Sequence, residues 1–318
     1  MLNRPLALTA AVLATSFALG CGSSSEPSDA AHAPTAAEAA DTARAAAPAP
    51  AAGWTTTAGI ATPESAYFDE GSGFVFTSQI DGQPADRDGN GRIVKLGADG
   101  SVVSADWVTG LHAPKGLRAH DGTLWTADLD ELVAIDIASG RVTSRVKIDG
   151  AQFLNDVAVG GDGTVYVSDF TASRIYAVKD GKASVLAEGE DLEYPNGLLV
   201  EGNRLVVGAW GKPEADFTTK VPGRLYALDL ATKAKTLITQ QPFANIDGVE
   251  SDGRGGYLVS DYLGGRILHV SAAGDVRQVS AHMPGTADIG FIPSINAVIV
   301  PHMNENRIAA YDVSDALK

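Results

Sequence analysis

The stretch FLNDVAVGGDGTVYVSDFTASRIYAV, residues 153–178, decides the fold, because the chain uses the same plan again further on. Residues 245–270 read NIDGVESDGRGGYLVSDYLGGRILHV and align with it without a gap. Each stretch begins with a short segment centred on a polar residue, called the polar step here (Leu154-Asn155-Asp156 and Ile246-Asp247-Gly248). An apolar strand, a Gly/Asp turn, a second apolar strand and an Arg-Ile pair that opens a third strand follow. Runs rich in β-branched and aromatic residues, bounded by glycine and aspartate, are typical of antiparallel strands.

Six units share this plan, and their polar steps are Pro63-Glu64-Ser65, Pro114-Lys115-Gly116, Leu154-Asn155-Asp156, Pro195-Asn196-Gly197, Ile246-Asp247-Gly248 and Ala287-Asp288-Ile289. The third-strand arginine follows the polar residue by 19 residues in the third, fifth and sixth units, and by 28 in the first and fourth. The extra length indicates a similar insertion in the first and fourth units. The second unit lacks the arginine.

The repeat length favours one architecture. From residue 54 to residue 318 the units average about 44 residues, which is the length of a four-stranded propeller blade. We therefore predict an all-β fold for residues 54–318, a six-bladed β-propeller with four-stranded antiparallel blades around a central channel. The last unit ends one strand short, near RIAAYDV at 307–313. The isolated segment from Trp54 to Thr57 is expected to supply that strand and close the ring, which would remove an exposed sheet edge.

The N-terminal residues are typical of an export signal. Arg4 provides a positive start, and residues 6–19 form an apolar run too short for an ordinary membrane span. The sequence Ala18-Leu19-Gly20-Cys21 resembles the lipobox of bacterial lipoproteins, and Cys21 is the only cysteine. We expect residues 1–20 to be a lipoprotein signal peptide and Cys21 to carry a lipid anchor. The alternative is a plain secretory signal in which Cys21 is incidental.

Composition sets the remaining expectations. Residues 21–53 are rich in Ala, Pro and Ser and cannot bury enough apolar surface to fold, which predicts a tether behind the lipidated cysteine. The net charge of −15 argues against nucleic acid as a partner. We expect a secreted, membrane-anchored lipoprotein of the bacterial outer membrane or periplasm, which contacts the membrane through its lipid alone. A monomer with a small-molecule substrate or ligand fits this composition.

The polar steps predict a functional centre. The innermost strand of each blade lines the central channel of a propeller, so equivalent residues share one circle. Here the circle is expected to collect Glu64, Lys115, Asn155, Asn196, Asp247 and Asp288. Carboxylate and amide oxygens are hard ligands, so Ca²⁺ is our first expectation for a divalent cation, with Mg²⁺, Mn²⁺ and Zn²⁺ open. Lys115 has three interpretations: a partner for Asp288, a contact for an anionic substrate group, or a replacement for the metal.

With this pattern the chain resembles the SMP-30/gluconolactonase/LRE-like family over the whole propeller, and more distantly the diisopropylfluorophosphatases and paraoxonases. The resemblance rests on Glu64 in TPESAYFD, Asn155 in FLNDVAV, Asn196 in YPNGLLV and Asp247 in IDGVESD. It implies that these four residues bind a catalytic divalent metal, or that Asn155 lies toward the substrate, as in the gluconolactonases. Two departures put the substrate in doubt: Phe153 stands where gluconolactonases have a substrate-binding arginine, and Ser65-Ala66 replaces Gly-Pro after Glu64.

Two functions follow as hypotheses. The first is a metal-dependent hydrolase of a lactone or related ester, in which Asp247 or Asp288 accepts a proton from the attacking water. Its expected substrate contacts are Lys115, Asn155, Asp156, Trp210, Tyr262 and His302. The first-blade and fourth-blade insertions, the latter at residues 211–223, would form a lid or rim over them. The alternative is a non-catalytic propeller that binds a ligand or a protein in the cell envelope.

Overall fold

The computed structural model describes residues 52–318. The predicted signal peptide, the predicted lipid anchor at Cys21 and residues 22–51 of the predicted tether lie outside the described residues. No helix within the described range is long and apolar enough to cross a membrane.

The described chain is built from short strands, as the alternation of apolar and polar residues predicts. They begin with β1 (Thr55–Thr56), which stands apart. The first three four-stranded sets are β2 (Pro63–Asp69), β3 (Phe74–Gln79), β4 (Gly91–Gly97) and β5 (Val102–Leu111); β6 (Pro114–His120), β7 (Thr123–Asp128), β8 (Glu131–Asp136) and β9 (Arg141–Lys147); and β10 (Leu154–Val159), β11 (Val165–Asp169), β12 (Arg174–Lys179) and β13 (Lys182–Glu188).

The later sets follow the same order. They are β14 (Pro195–Glu201), β15 (Arg204–Ala209), β16 (Leu225–Asp229) and β17 (Lys235–Leu237); β18 (Ile246–Ser251), β19 (Tyr257–Asp261), β20 (Arg266–Val270) and β21 (Val276–Ala281); and β22 (Gly290–Ile292), β23 (Ala297–His302) and β24 (Arg307–Asp312). Short 3-10 turns cover Glu190–Leu192, Pro293–Ile295 and Met303–Glu305.

These strands form six four-stranded antiparallel sheets, so the predicted six-bladed propeller is confirmed. Five sheets are consecutive in sequence, from β2–β5 to β18–β21. The sixth has the order β1-β24-β23-β22, with Thr55 opposite Ala309 and Thr56 opposite Ile308. The predicted closure by the segment that begins at Trp54 is therefore confirmed. Because the first strand completes the last blade, the two ends of the ring are joined by backbone hydrogen bonds.

The core lies between the blades. Each of six apolar clusters among the described residues takes its side chains from two neighbouring sheets. Between the first and second blades, for example, Phe76 and Ile93 pack against Leu124 and Val133, and all four are fully buried. Burial of this kind stabilises by about 25 cal/mol per Å² of apolar surface. The blades are thus fixed to one another, and the inner strands hold their positions around the channel.

Candidate functional site

Each inner strand carries an irregularity where its polar step falls. In the first five blades the pairing with the second strand shifts register over three residues, as between Pro63 and Ala66 or between Ile246 and Val249. A bulge re-aims side chains that would otherwise alternate between the two faces. As a result, two consecutive residues per blade, such as Asn155 and Asp156, are buried around the channel.

Two rings of residues follow from this register. The first ring contains Glu64, Lys115, Asn155, Asn196, Asp247 and Ala287; the second contains Ser65, Gly116, Asp156, Gly197, Gly248 and Asp288. The second ring is tightly packed, because a Cβ atom at Gly116 would collide with Asp156 and one at Gly248 would collide with Asp288.

The register differs from the sequence prediction in the sixth blade. Thr286 pairs with His302, as Ile246 pairs with Asp261, so Ala287 corresponds to Asp247 and Asp288 to the glycine after it. The equal spacing of 19 residues misled because the hairpin from Thr286 to His302 is one residue longer than its fifth-blade counterpart. Asp288 therefore belongs to the second ring, whereas the other five predicted circle members form the first.

A cavity of about 250 Å³ opens over the first ring. Its polar lining consists of five first-ring residues, Glu64, Lys115, Asn155, Asn196 and Asp247, together with Asp216 of the fourth-blade insertion. Apolar side chains make up most of the remainder, and these are Ile80, Pro84, Phe153, Phe170, Trp210, Phe217, Tyr262, Leu263 and Met303. Pro84 belongs to the first-blade insertion and Phe217 to the fourth-blade insertion, so both insertions reach this cavity.

Buried carboxylates dominate the electrostatics of the first ring. Burial raises the pKa of Glu64 well above its usual range, and Asp247 adds to the effect while Lys115 opposes it. Burial and the nearby Asp156 raise the pKa of Asp247 to about 7, against a hydrogen bond of 2.7 Å that Asn196 Nδ2 donates to Asp247 Oδ1. These groups share one negatively charged centre in which protonation or a cation is favoured.

Lys115 holds the only ammonium group of the first ring, and it is almost fully buried. Its Nζ donates to the carbonyl oxygens of Pro84 at 3.0 Å and Ala113 at 2.9 Å, and lies 4.6 Å from the centroid of the Phe153 ring. Burial lowers its pKa to about 8, although Glu64 raises it. Both hydrogen-bond acceptors of its Nζ among the described residues are backbone carbonyls, and the charges that raise its pKa are Glu64 and Asp128, so Lys115 is not the partner of Asp288.

The second ring does not line the cavity. Asp156 accepts the backbone N–H groups of Val157 and Leu198 at 2.7 and 2.6 Å, and burial raises its pKa to about 7. Asp288 accepts the hydroxyl of Ser65 at 2.5 Å, and burial, with Asp156 next, raises its pKa. The structure thus places the predicted substrate contact Asp156 and the predicted base Asp288 one step along the channel from the cavity.

Sequence reasoning missed an ion pair further along the channel. Arg118 Nη1 donates to Glu250 Oε1 at 2.9 Å, and its guanidinium lies 5.1 Å from the centroid of the Tyr67 ring. These residues come three positions after the first-ring members Glu64, Lys115 and Asp247, on the same inner strands. The sequence does carry a signal for this pair, because the second and fifth units each have a charged residue three positions after the first-ring residue.

The ends of the second strands supply the cavity walls. Ile80, Phe170, Trp210, Tyr262 and Met303 each follow the last residue of a second strand, and all line the cavity. Trp210 and Tyr262 were predicted from the sequence. Phe170, which follows Asp169 at the end of β11, was not predicted.

The position just before these wall residues has a structural role. Asp169 accepts the backbone N–H groups of Gln152 and Phe153, both at 2.9 Å, and fixes the loop that leads into β10. Asp128 and Asp261 do the same for their own blades. His302 occupies this position in the sixth blade: it is buried, its Nε2 lies 3.0 Å from the Tyr311 hydroxyl, and it does not line the cavity.

The first ring has the right atoms for a hard cation. Glu64 Oε2 and Asn196 Oδ1 are buried and accept no hydrogen bond from residues 52–318. Buried acceptors without a donor are unfavourable, and an oxygen-binding cation would satisfy both. The described residues hold no group of three or more His, Cys, Asp and Glu side chains arranged for a metal; the candidate set instead joins two carboxylates to two amides. Glu64, Asn155, Asn196 and Asp247 therefore fit an oxygen-liganded divalent cation.

Comparison with known proteins supports the fold but assigns no function to the site. No protein-family model matches the chain, and no curated protein sequence matches it. Similar solved structures include a gluconolactonase from Xanthomonas campestris, with 18% identity over 79% of this chain and 83% of that chain, at a TM-score of 0.56. A streptogramin B lyase has 11% identity over 81% and 96% of the two chains, at a TM-score of 0.54. A nidogen/laminin complex structure has 13% identity over 70% and 90%, also at 0.54. At such identities the likeness shows the propeller fold alone, which hosts many functions.

Proposed function

We propose that this protein is a metal-dependent hydrolase of a lactone or related ester, acting in the central cavity. The observation that carries the proposal is the buried oxygen cluster of Glu64, Asn196 and Asp247, in which two acceptor atoms have no donor in the part of the chain that the structure describes. Such a cluster beside an apolar cavity is typical of a catalytic centre, since structural positions normally pair their buried polar atoms.

The chain's own residues divide the task. Glu64, Asn155, Asn196 and Asp247 would hold the cation, and Ca²⁺ suits these ligands best, with Mg²⁺, Mn²⁺ or Zn²⁺ as alternatives. When bound, a divalent cation would polarise the substrate carbonyl and stabilise developing negative charge. Asp247 lines the cavity, whereas Asp288 does not, so Asp247 is the carboxylate placed to accept a proton from water.

Lys115 has a supporting part. Two of its three ammonium hydrogens are donated to the carbonyls of Pro84 and Ala113, which fixes the group at the cavity wall. The third can be donated to a substrate oxygen or to the carboxylate that ester hydrolysis releases. We therefore keep Lys115 as a substrate contact, together with Asn155, Trp210 and Tyr262, which share the cavity.

Metal uptake and hydrolysis by the full chain test the proposal together. Calcium titration by calorimetry should show one equivalent bound, and E64Q and D247N should bind it at least about tenfold more weakly. D252N is the matched control for D247N, because Asp252 is a buried acid of the fifth blade, like Asp247, but pairs with His269. The calcium-loaded protein should hydrolyse δ-valerolactone, and E64Q should not. Failure to bind any divalent cation, or metal binding without hydrolysis of any lactone or ester, would refute the proposal.

A non-catalytic, ligand-binding propeller is the second candidate. It is favoured by Lys115, which already places an ammonium group in the first ring, where the charge of Glu64 raises its pKa. A protein of this kind would bind small molecules in the cavity without taking up metal. The same calorimetry distinguishes the two functions, because only the hydrolase requires the first ring to bind a divalent cation.

The location of the protein is a separate proposal. We propose that Cys21 carries a lipid that anchors a secreted, monomeric propeller at the bacterial outer membrane, through a tether of residues 22–53. It is supported by the sequence around Cys21 and by the acidic composition. In cells fed radioactive palmitate the wild-type chain should be labelled and fractionate with membranes, while C21S should be unlabelled and soluble.

A further inference from the structure

One side of the cavity is an aromatic wall, defined here as Phe153, Phe170, Trp210, Phe217 and Tyr262. Its rings form a continuous chain: Phe153 lies 6.1 Å from Phe170, Phe170 5.3 Å from Trp210, and Trp210 5.4 Å from Tyr262, between ring centroids. Phe217 closes the group at 6.0 Å from Phe153 and 5.8 Å from Phe170. These are distances at which aromatic rings attract one another.

Phe217 is held over the cavity in an unusual way. It is 40% exposed, and its φ of 63° lies in the left-handed region that favours glycine. The indole Nε1 of Trp210 donates to the Phe217 carbonyl at 3.1 Å and so fixes this turn. A large exposed side chain kept in an unfavourable conformation at a cavity mouth points to a ligand-binding role.

The wall has few hydrogen-bonding groups to offer. The Trp210 N–H is donated to Phe217, and the Tyr262 hydroxyl lies 3.2 Å from the sulfur of Met303. Asp216, which also lines the cavity, accepts the backbone N–H and hydroxyl of Thr218 through its Oδ1. A polyhydroxylated ligand would therefore lose its hydrogen bonds to water on this side and gain few in return, which is costly.

We infer that the ligand of this cavity is an aromatic lactone or aryl ester, with its ring against the aromatic wall and its carbonyl toward the first ring. The volume of about 250 Å³ suits a bicyclic molecule, since an apolar cavity of roughly 150 Å³ already holds benzene. Aromatic rings of the ligand would extend the edge-to-face contacts of the wall. The inference rests on the proposed function only in calling this ligand a substrate; its aromatic character rests on the wall.

Three lactones with the same six-membered ring test the inference with the calcium-loaded full chain. They are 3,4-dihydrocoumarin, δ-valerolactone and D-glucono-δ-lactone. Dihydrocoumarin should have the highest kcat/KM and gluconolactone the lowest. In F217A the KM for dihydrocoumarin should rise by about tenfold, as loss of an aromatic contact allows. The control is V221A, because Val221 belongs to the same insertion and is 60% exposed but does not line the cavity.

Binding of coumarin, followed by calorimetry, separates this inference from the proposed function. If no lactone is hydrolysed but coumarin binds and F217A weakens its binding about tenfold, the aromatic site stands and the hydrolase does not. If gluconolactone is hydrolysed in preference to dihydrocoumarin, the hydrolase stands and the aromatic inference is overturned. It is also overturned if coumarin does not bind at millimolar concentration, or if F217A and V221A behave alike.

Discussion

Asn196 donates its side-chain N–H to Asp247 Oδ1 at 2.7 Å, and its own Oδ1 is buried without a donor from residues 52–318. The same is true of Glu64 Oε2, in the first ring with them. A buried acceptor left unpaired costs about 1–3 kcal/mol. The first ring is therefore a cluster of buried oxygen atoms that protons or a bound cation would stabilise.

The stability of the metal-free protein should fall as the pH rises. Asp247 and Asp156 have ordinary pKa values near 3.8 when unfolded and pKa values of about 7 in the folded protein, because both are buried. Between these values the folded state binds more protons than the unfolded state, so stability is lost as pH rises through about 7. Thermal denaturation in a chelator should give a higher melting temperature at pH 5 than at pH 8.

D247N is the variant that isolates this effect. It removes one titrating group from the first ring, so its melting temperature should change less between pH 5 and pH 8 than that of the wild type. A melting temperature that rises with pH in the chelated wild-type protein would show that these carboxylates do not control stability.

Lys115 should compete electrostatically with a divalent cation. Its ammonium group is fixed at the cavity wall by two carbonyls, so its positive charge is what opposes the binding of a cation in the first ring. K115M should therefore bind Ca²⁺ more tightly than the wild type, by about tenfold or 1.4 kcal/mol. Calcium titration by calorimetry measures the change, and K95M is the control, because Lys95 is buried against Phe74 in the first blade, away from the cavity. Weaker calcium binding in K115M would contradict this electrostatic picture.

The fold was predictable from the sequence because its signal is repeated. Strand alternation, turn residues and the spacing from Asn155 to Arg174 recur in several units, so the blade number and the closing strand near Trp54 could both be derived. The five first-ring residues other than Ala287 were predictable for the same reason. Each begins an inner strand at the same place in its unit, and the strands are fixed by cores on both sides.

The errors arose where one residue of register decides which way a side chain points. The bulge in each inner strand brings consecutive residues to the channel, and no repeat spacing reveals whether Ala287 or Asp288 matches Asp247. The same holds at the ends of the second strands. Asp169 accepts hydrogen bonds from a loop, whereas Phe170, the next residue, lines the cavity. Phe217 was not predictable, because its place depends on the path of an insertion.

Removing one partner of the ion pair between Arg118 and Glu250 should destabilise the fold, whereas replacing both partners with apolar residues should be nearly neutral. Both side chains are mostly buried, and burial raises the pKa of Glu250 even though Arg118 opposes it. R118M and E250M should each lower the free energy of unfolding by about 3–5 kcal/mol, because each leaves an unpaired buried charge. The double variant should recover most of that loss. Urea denaturation of the four proteins measures the coupling, and additive losses would show that the two charges do not depend on each other.

The closing strand should be needed for the stability of the sixth blade. Gly53 donates its N–H to the Ala310 carbonyl at 2.8 Å, and Ala310 donates to the Trp54 carbonyl at 3.0 Å. The Trp54 indole donates to Ala98 of the first blade at 3.2 Å, so this segment contacts both sides of the seam. A chain that begins at residue 58 should lose about 3–5 kcal/mol, because it loses both the backbone hydrogen bonds of this strand and the packing of the partly buried Trp54. It should melt about 10 °C lower than a chain that begins at residue 52, its control. With β24 left as an open edge it should also elute as larger species in gel filtration. Equal melting temperatures for the two chains would mean that the propeller closes without its first strand.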